Sequence, residues 1–325
     1  MTYARIVSTG MSLPEKVMTN DDISKIVDTS DEWIQSRTGI RERRVAAEHE
    51  ATSTFATAAA QQALDNAGED AQNLDAIIVA TITPDCPFPA SACLVQKNLG
   101  ATRACAYDLS AACSGYLYAL ATADAYIRSG LYKNIMVIGA ETLTKCVDWQ
   151  DRGSCILFGD GAGATLVRPS EEPGIRYSDL GCDGNHFELI YIPVGGTKTP
   201  LTEENIKERK HFAVVNGRDV YKLAVKQAEI VIRRALEENY LTVDDIKLLI
   251  PHQANQRITD AVQERLGFPK EKVASNIDIY GNTSAATVPI CLHEAAENGT
   301  IQRGDKVLLV AFGAGFTWGT VLLDW

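Results

Sequence analysis

The sequence predicts an α/β protein built as two similar halves, and three observations carry that expectation. Short apolar, β-branched runs alternate with longer amphipathic stretches, the pattern of buried strands joined by crossover helices. Three segments of the first half recur in order in the second, each about 170 residues later. Late in each half a glycine-rich stretch feeds another apolar run, "FGDGAGATLV" from Phe158 and "FGAGFTWGTVLL" from Phe312.

Along the chain, "TSTFATAAAQQALDNAG" from Thr52 is the first long amphipathic stretch and predicts a helix. "LDAIIVATITPD" from Leu74 centres on a strand over 77–80, and its echo "IKLLIPHQANQ" from Ile246 on a strand over 248–250. "ACAYDLSAACSG" from Ala104 reads as a short strand running into a helix whose first turn carries Cys113; "VASNIDIYGNTSAA" from Val273 answers it. "NIMVIGAE" from Asn134 and "DKVLLVAFG" from Asp305 predict strands over 135–138 and 307–310. Between them, "VYKLAVKQAEIVIRRALEENYL" from Val220 is the long helix of the second half.

Composition narrows the function. With 325 residues, 46% of them apolar and 22% charged, the chain buries a large core. A net charge of -11 argues against a nucleic-acid or anionic-membrane partner. The N-terminal residues lack a basic flank and apolar core, and no stretch nears the ~20 apolar residues of a membrane span, so a cytoplasmic location is expected. The eight cysteines include no C-x-x-C pair and the five histidines do not cluster, so reduced thiols and no metal are expected.

Three residues could do chemistry. Cys113 lies among Ala111, Ala112, Ser114 and Gly115 at a helix start, where unpaired N–H groups favour thiolate and small neighbours admit a substrate. Outside such a setting an unpaired cysteine is most often a small buried hydrophobe. His252 follows the apolar run 248–250 and Pro251, at a strand end where α/β folds hold functional groups; it would serve equally as a cap for carbonyls. Asn282, in "GNTSAA", is compatible with plain turn and cap chemistry, yet its segment echoes that of Cys113. Halves packed about a pseudo-twofold axis would bring the two loops face to face.

Six ordered blocks resemble the β-ketoacyl-acyl carrier protein synthase III family: "DTSDEWIQSRTGIRERR" from Asp28, "AACSG" around Cys113, "DRGSCILFGDGAGA" from Asp151, "PHQANQRI" from Pro251, "GNTSAA" from Gly281 and "FGAGFTWG" from Phe312. The resemblance implies a thiolase-like fold with a layered αβαβα core, residues 1–170 carrying the nucleophile and 171–325 the histidine and asparagine. It implies an acyltransferase that starts fatty acid synthesis, with no cofactor beyond its coenzyme A thioester substrate. Cys113 would take the acyl group from an acyl-CoA, and malonyl-acyl carrier protein would then lose carbon dioxide and attack it. His252 and Asn282 would donate to the enolate oxygen, and the backbone N–H groups of Cys113 and Ala314 would form the oxyanion hole for acyl transfer. The loop reads "GAG" where relatives read "GGG", so Ala314 must hold an ordinary φ or carry strain.

By the same resemblance Trp33 and Arg152 sandwich the adenine of CoA, Arg37 meets a phosphate, and Asn255 meets pantetheine. On their own, Trp33 reads as a core anchor and the arginines as solvated charges. Phe312 walls the acyl site, Ile82 shortens it in favour of acetyl-CoA, and Phe88 crosses a homodimer interface into the partner's pocket. Acidic acyl carrier protein would dock on Arg257, extended by Lys222 and Arg265, with Asp260 and Glu264 thinning the basic patch. A degradative thiolase is disfavoured, since "FGAGFTWG" has no second cysteine; condensing relatives of secondary metabolism remain the alternative.

Overall fold

A computed structural model describes residues 2–325 and has the layered architecture expected. One sheet contains β1 (Tyr3–Ser12), β2 (Ala76–Ala80), β3 (Cys105–Leu109), β4 (Ile135–Thr142) and β5 (Asp160–Ser170) in the order β1-β5-β4-β2-β3. The other contains β6 (Ile175–Cys182), β7 (Leu248–Pro251), β8 (Lys306–Gly313) and β9 (Thr317–Asp324) in the order β7-β8-β9-β6. Both sheets repeat one pairing scheme. The strand opening each, β1 or β6, is antiparallel to the strand closing it, β5 or β9. That strand is antiparallel to β4 or β8, which runs parallel to β2 or β7. Where β3 adds a fifth strand to the first sheet, the second has only an isolated Leu249–Val273 bridge.

The helices are α1 (Asp31–Thr38), α2 (Thr52–Ala67), α3 (Ser91–Leu99), α4 (Gly115–Arg128), α5 (Gly217–Glu238), α6 (Gln256–Leu266) and α7 (Thr287–Glu297), besides shorter turns. Alternation along the strands assigns the layers. Ala76, Ile78 and Ala80 join Leu117, Leu120, Val288, Leu292, Val307 and Leu309 in one cluster, so α4 and α7 lie between the sheets. Ile77 and Val79 face the opposite way, onto Phe55, Ala59 and Ala63 of α2. Leu308 and Val310 face Val231 and Ile232 of α5 and Val262 of α6. Strands buried on both faces explain the near-continuous apolar runs of the sequence.

Between β6 and α5 lies a segment the sequence reading left without structure. In it a two-residue antiparallel ladder pairs Ile190–Tyr191 with Val214–Val215. No helix among the described residues is long and apolar enough to cross a membrane, and no group of side chains among them could hold a metal ion.

The two sheets' central turns meet with almost no space between them. A Cβ on Gly139 of β4 would stand 2.2 Å from the Ala285 carbonyl oxygen, in the turn that precedes α7. Gly139→Ala must therefore push that turn aside, and we expect a loss of about 1–3 kcal/mol in urea unfolding. An unchanged midpoint would contradict so close an approach.

Candidate active site

After β3 the chain makes a sharp bend in which Ala112 adopts φ +48°, a left-handed conformation that costs an alanine about 1–2 kcal/mol. A single 3-10 turn over Ala112–Ser114 follows, and α4 starts at Gly115. Cys113 thus sits just before the helix, in the tight turn rather than in the helix's first turn. The bend is held from the other sheet: a Cβ on Gly313, at the end of β8, would lie 2.6 Å from the Cys113 nitrogen. Ser114 Oγ contacts the Ala111 carbonyl oxygen at 2.8 Å and Thr317 Oγ1 at 2.7 Å, and Thr317 Oγ1 contacts the Ala314 carbonyl oxygen at 3.1 Å. These bonds fix the Cys113 turn to the glycine-rich loop.

Ala314 stands outside the left-handed region, while Gly315 takes φ +133°. The "GAG" sequence is therefore accommodated without strain at the alanine. The awkward backbone falls on the glycine that follows.

His252 begins where β7 ends, its N–H donating to the Val310 carbonyl at 2.8 Å. The side chain is 2% exposed, with Nδ1 2.7 Å from Thr287 Oγ1 and the Phe312 ring edge-on at 5.4 Å between centroids. Desolvation lowers its pKa to about 3, so the imidazole is neutral.

Asn282 follows Gly281 (φ +64°) and is fixed by backbone bonds, its N–H donating to the Leu157 carbonyl at 2.9 Å. The Ser284 N–H donates to Asn282 Oδ1 at 2.8 Å. With its oxygen engaged, the amide offers its NH2 group as a donor.

Ser284 repeats the strained geometry of Ala112, at φ +50° before its own 3-10 turn and helix α7. By position Ala285 answers Cys113. The second half thus has the bend without the thiol.

Cys113, His252 and Asn282 line one cavity of about 350 Å³, together with Ile82, Asn255, Phe312 and Ala314. Its far wall was not anticipated: Leu143, Cys146, Leu157 and Phe158 come from the first half, Ile190, Tyr191 and Ile192 from the segment after β6. The cavity changes one expectation. Burial, with a smaller contribution from the Glu141 charge, pushes the Cys113 thiol up to about 12 against an ordinary 9.0. A helix start supplies at most ~2 kcal/mol, roughly 1.5 pH units, so the thiol is protonated at neutral pH instead of pre-ionised.

The remaining predicted residues lie outside this cavity. Arg152 and Arg37 both approach the Trp33 ring, with guanidinium carbons 4.8 and 5.7 Å from its centroid. Trp33 also packs against the buried cluster that contains Ile23, Ile34 and Ile156, so it is partly a core residue. Asn255 caps α6 and donates from Nδ2 to the Arg37 carbonyl at 3.1 Å, linking this cluster to the cavity mouth. Phe88 is 85% exposed and does not line this chain's own cavity.

The basic rim is thinner than three cations suggest. Lys222 pairs with Asp219 at 3.5 Å and Arg265 with Glu229 at 3.2 Å. Arg257 lies over the Tyr221 ring at 5.7 Å and, among the described residues, has no carboxylate partner. Its charge alone is unspent.

Glu141 was also missed. An acid at the end of the apolar run "NIMVIGAE" is an anomaly that the sequence displays, since a buried strand has no water for a carboxylate. It is fully buried beside the cavity.

Comparison with known proteins accords with this geometry. The family models for 3-oxoacyl-[acyl-carrier-protein (ACP)] synthase III and for its C-terminal part match residues 107–184 and 236–325. The chain is 50% identical to the β-ketoacyl-[acyl-carrier-protein] synthase III of Natranaerobius thermophilus, with 100% of both chains covered. It is likewise 50% identical to that of Xanthomonas campestris pv. campestris, over 99% of this chain and 98% of the relative. The crystal structure of 3-oxoacyl-[acyl-carrier-protein] synthase III from Aquifex aeolicus superposes with a TM-score of 0.92 at 48% identity, covering 99% of this chain and 100% of that one. The priming β-ketosynthase of the R1128 polyketide pathway reaches the same TM-score at 34% identity, covering 99% of this chain and 96% of its own. With its fold, its cavity and its full-length likeness all in agreement, the chain belongs to the β-ketoacyl-acyl carrier protein synthase III family, thiolase-like acyltransferases that condense the first carbon units of fatty acid synthesis.

Proposed function

We propose that Cys113 carries the acyl group and that His252 and Asn282 stabilise the enolate formed from malonyl-acyl carrier protein, with acetyl-CoA as the acyl donor. The observation behind this reading is the convergence of thiol, neutral imidazole and free amide in one apolar cavity. The Cys113 sulfur attacks the thioester carbon and CoA departs. The backbone N–H groups of Cys113 and Ala314 receive the tetrahedral oxyanion. Malonyl thioester then loses carbon dioxide, and its enolate carbon attacks the acyl-cysteine to give the β-ketoacyl product.

Decarboxylation gains from donors aimed at the oxygen where charge grows. Asn282 supplies one through its NH2, because its oxygen is held by Ser284. His252 supplies the second only with hydrogen on Nε2, so Nδ1 must accept. Thr287 serves that need: its hydroxyl is 2.7 Å from Nδ1 and 2.9 Å from the Ser284 carbonyl, which already takes the Thr287 backbone N–H. Turning the hydroxyl to the ring leaves that carbonyl satisfied.

Ile82 and the Leu143–Cys146 wall favour a short acyl group, and Phe88 of a second copy would close the same pocket in a homodimer. Trp33, Arg37, Arg152 and Asn255 take the CoA arm. In this arrangement Arg152 must lift from Trp33 for adenine to enter between them. Arg257 is the cation left for acidic carrier protein.

Labelled acetyl-CoA should attach to the wild-type chain and not to Cys113→Ala, read by intact mass. Label on the variant would move the nucleophile elsewhere. Asn282→Ala should slow malonyl decarboxylation by about 10²–10³-fold while the acetyl adduct still forms, because a donor to the enolate is lost and the thiol is not. Equal losses in both half-reactions would contradict that division. Arg257→Glu should weaken carrier-protein binding by more than Lys222→Glu in stopped-flow titration, since only Arg257 lacks a carboxylate partner; an unchanged affinity removes Arg257 from the interface.

A further inference from the structure

The mechanism above leaves the Cys113 proton without a destination. His252 enters condensation with hydrogen already on Nε2, and a second ring proton would make it a cation in a place where burial strongly opposes charge. A second buried group beside the thiol has no assigned role. Glu141, at the end of β4, is 0% exposed and lies next to the cavity wall.

Five donors reach the Glu141 carboxylate. The Thr81 hydroxyl donates at 3.1 Å, the Thr83 hydroxyl at 2.5 Å, the Ile82 and Thr83 N–H groups each at 3.1 Å, and the Ser284 hydroxyl at 3.0 Å. Among the described residues no lysine or arginine pairs with it. These five donors, with no cation, are dipoles that stabilise the carboxylate's charge against its burial.

Ser284 stands between this carboxylate and the nucleophile. Its hydroxyl donates to Glu141 Oε1 at 3.0 Å, and Ser284 and Cys113 line the same cavity. Its backbone is strained at φ +50°, and its N–H fixes Asn282. A residue held off its preferred backbone, whose hydroxyl bonds a buried carboxylate and which lines the cavity of the thiol, has the form of a proton relay.

We propose that Glu141 is the acceptor of the Cys113 proton, reached through the Ser284 hydroxyl, and that this transfer activates the nucleophile for acylation. The inference rests on the assignment of Cys113 as nucleophile. As Sγ–H gives its proton to Ser284 Oγ, the serine's own proton passes to Glu141 Oε1. The sulfur forms its bond to the thioester carbon, the bond from that carbon to the CoA sulfur breaks, and CoA leaves as a thiolate that takes a proton from solvent. Glu141 keeps its proton until condensation expels Cys113 as a thiolate, when reverse transfer restores the thiol. One proton is consumed per turnover, as decarboxylative condensation requires.

Electrostatics favours this route over one through His252. Ionising Cys113 toward the imidazole creates two charges in an apolar cavity; moving its proton to Glu141 relocates one that is already there. The acyl-enzyme then holds a neutral Glu141, so no fixed anion opposes the malonyl carboxylate.

The relay has a pH signature. Burial raises Glu141 to about 7 despite its donors. The other titratable groups around it lie elsewhere: Cys113 and Cys146 are pushed up to about 12 and 11, His252 is lowered to about 3, and Asp160 on the adjacent β5 is raised but bonded to Thr144 and the Ala46 N–H. An acceptor must be ionised. Wild-type acylation should therefore accelerate as pH rises through about 7.

The test is the single-turnover rate of acetyl transfer from acetyl-CoA to Cys113 across pH 5.5–9, roughly the window that brackets a neutral acceptor, in wild type, Glu141→Gln, Ser284→Ala and His252→Ala. Glu141→Gln keeps the shape and an acceptor oxygen for the backbone donors. We expect it and Ser284→Ala to acylate about 10²-fold more slowly and to lose the rise near neutrality, while His252→Ala retains that rise. Condensation by enzyme already acetylated should be far less affected in Glu141→Gln. A rise that persists in Glu141→Gln and disappears in His252→Ala would overturn the relay and make the imidazole the base. A wild-type profile flat through neutrality would overturn it without any variant, whatever the variants' folding. No acetyl adduct on wild-type Cys113 would instead defeat the functional reading on which the relay rests.

Discussion

Desolvation of a single apolar cavity governs the chemistry of this protein. The same exclusion of water raises the thiol of Cys113, lowers the imidazole of His252 and lifts the carboxyl of Glu141 toward neutrality. Each shift opposes charge, and together they leave room for about one negative charge among the three groups. Such a site is poorly suited to a thiolate–imidazolium pair like that of a cysteine protease. It suits a reaction in which one anion passes from group to group and ends on departing products, and in which uncharged donors meet an enolate that exists only briefly.

The folding pattern explains how those groups come together. Two copies of one sheet scheme place two strained bends, at Ala112 and Ser284, against each other across the molecule's middle layer. Both bends are held by glycine: Gly313 of the second sheet abuts the Cys113 nitrogen, and Gly139 of the first abuts the Ala285 carbonyl. Each half therefore shapes the other's functional turn. The first bend carries the thiol of Cys113. The bend that carries alanine in its place holds Asn282 through Ser284 and His252 through Thr287.

Much of this was legible in the residues. The strands over 77–80, 135–138, 248–250 and 307–310 each fall inside an observed strand because apolar runs buried on both faces leave an unbroken signature. Cys113, His252 and Asn282 were visible because each sits at an element end among small or breaking residues. The ladder formed by 190–191 and 214–215 was not, since strands of two residues carry no periodicity, and the cavity wall they build is a tertiary fact. The ionisation of Cys113 was misjudged for a related reason. Sequence shows a helix start but not the depth of the cavity around it, and here depth outweighs the dipole. Glu141 was the opposite case, a signal present and unread: an acid at the end of a buried strand must find several donors or a function.

Charge placement extends the argument from the cavity to its mouth. A chain with a net charge of -11 repels an acidic carrier on average, so productive approach depends on local cations that are not already neutralised. Pairing removes Lys222 and Arg265 from that role at close range. What remains near the mouth is Arg257 on α6, Arg37 and Arg152 about the Trp33 ring, and the hydrogen bond from Asn255 that ties the start of α6 to α1. A carrier protein engaging Arg257 and a CoA engaging Arg37 and Arg152 would press on two ends of the same link. Because Asn255 lines the cavity, either arm would then act on its position. In the reaction proposed above, the acyl group would be left on Cys113, and CoA would withdraw, before malonyl thioester reached the donors of His252 and Asn282.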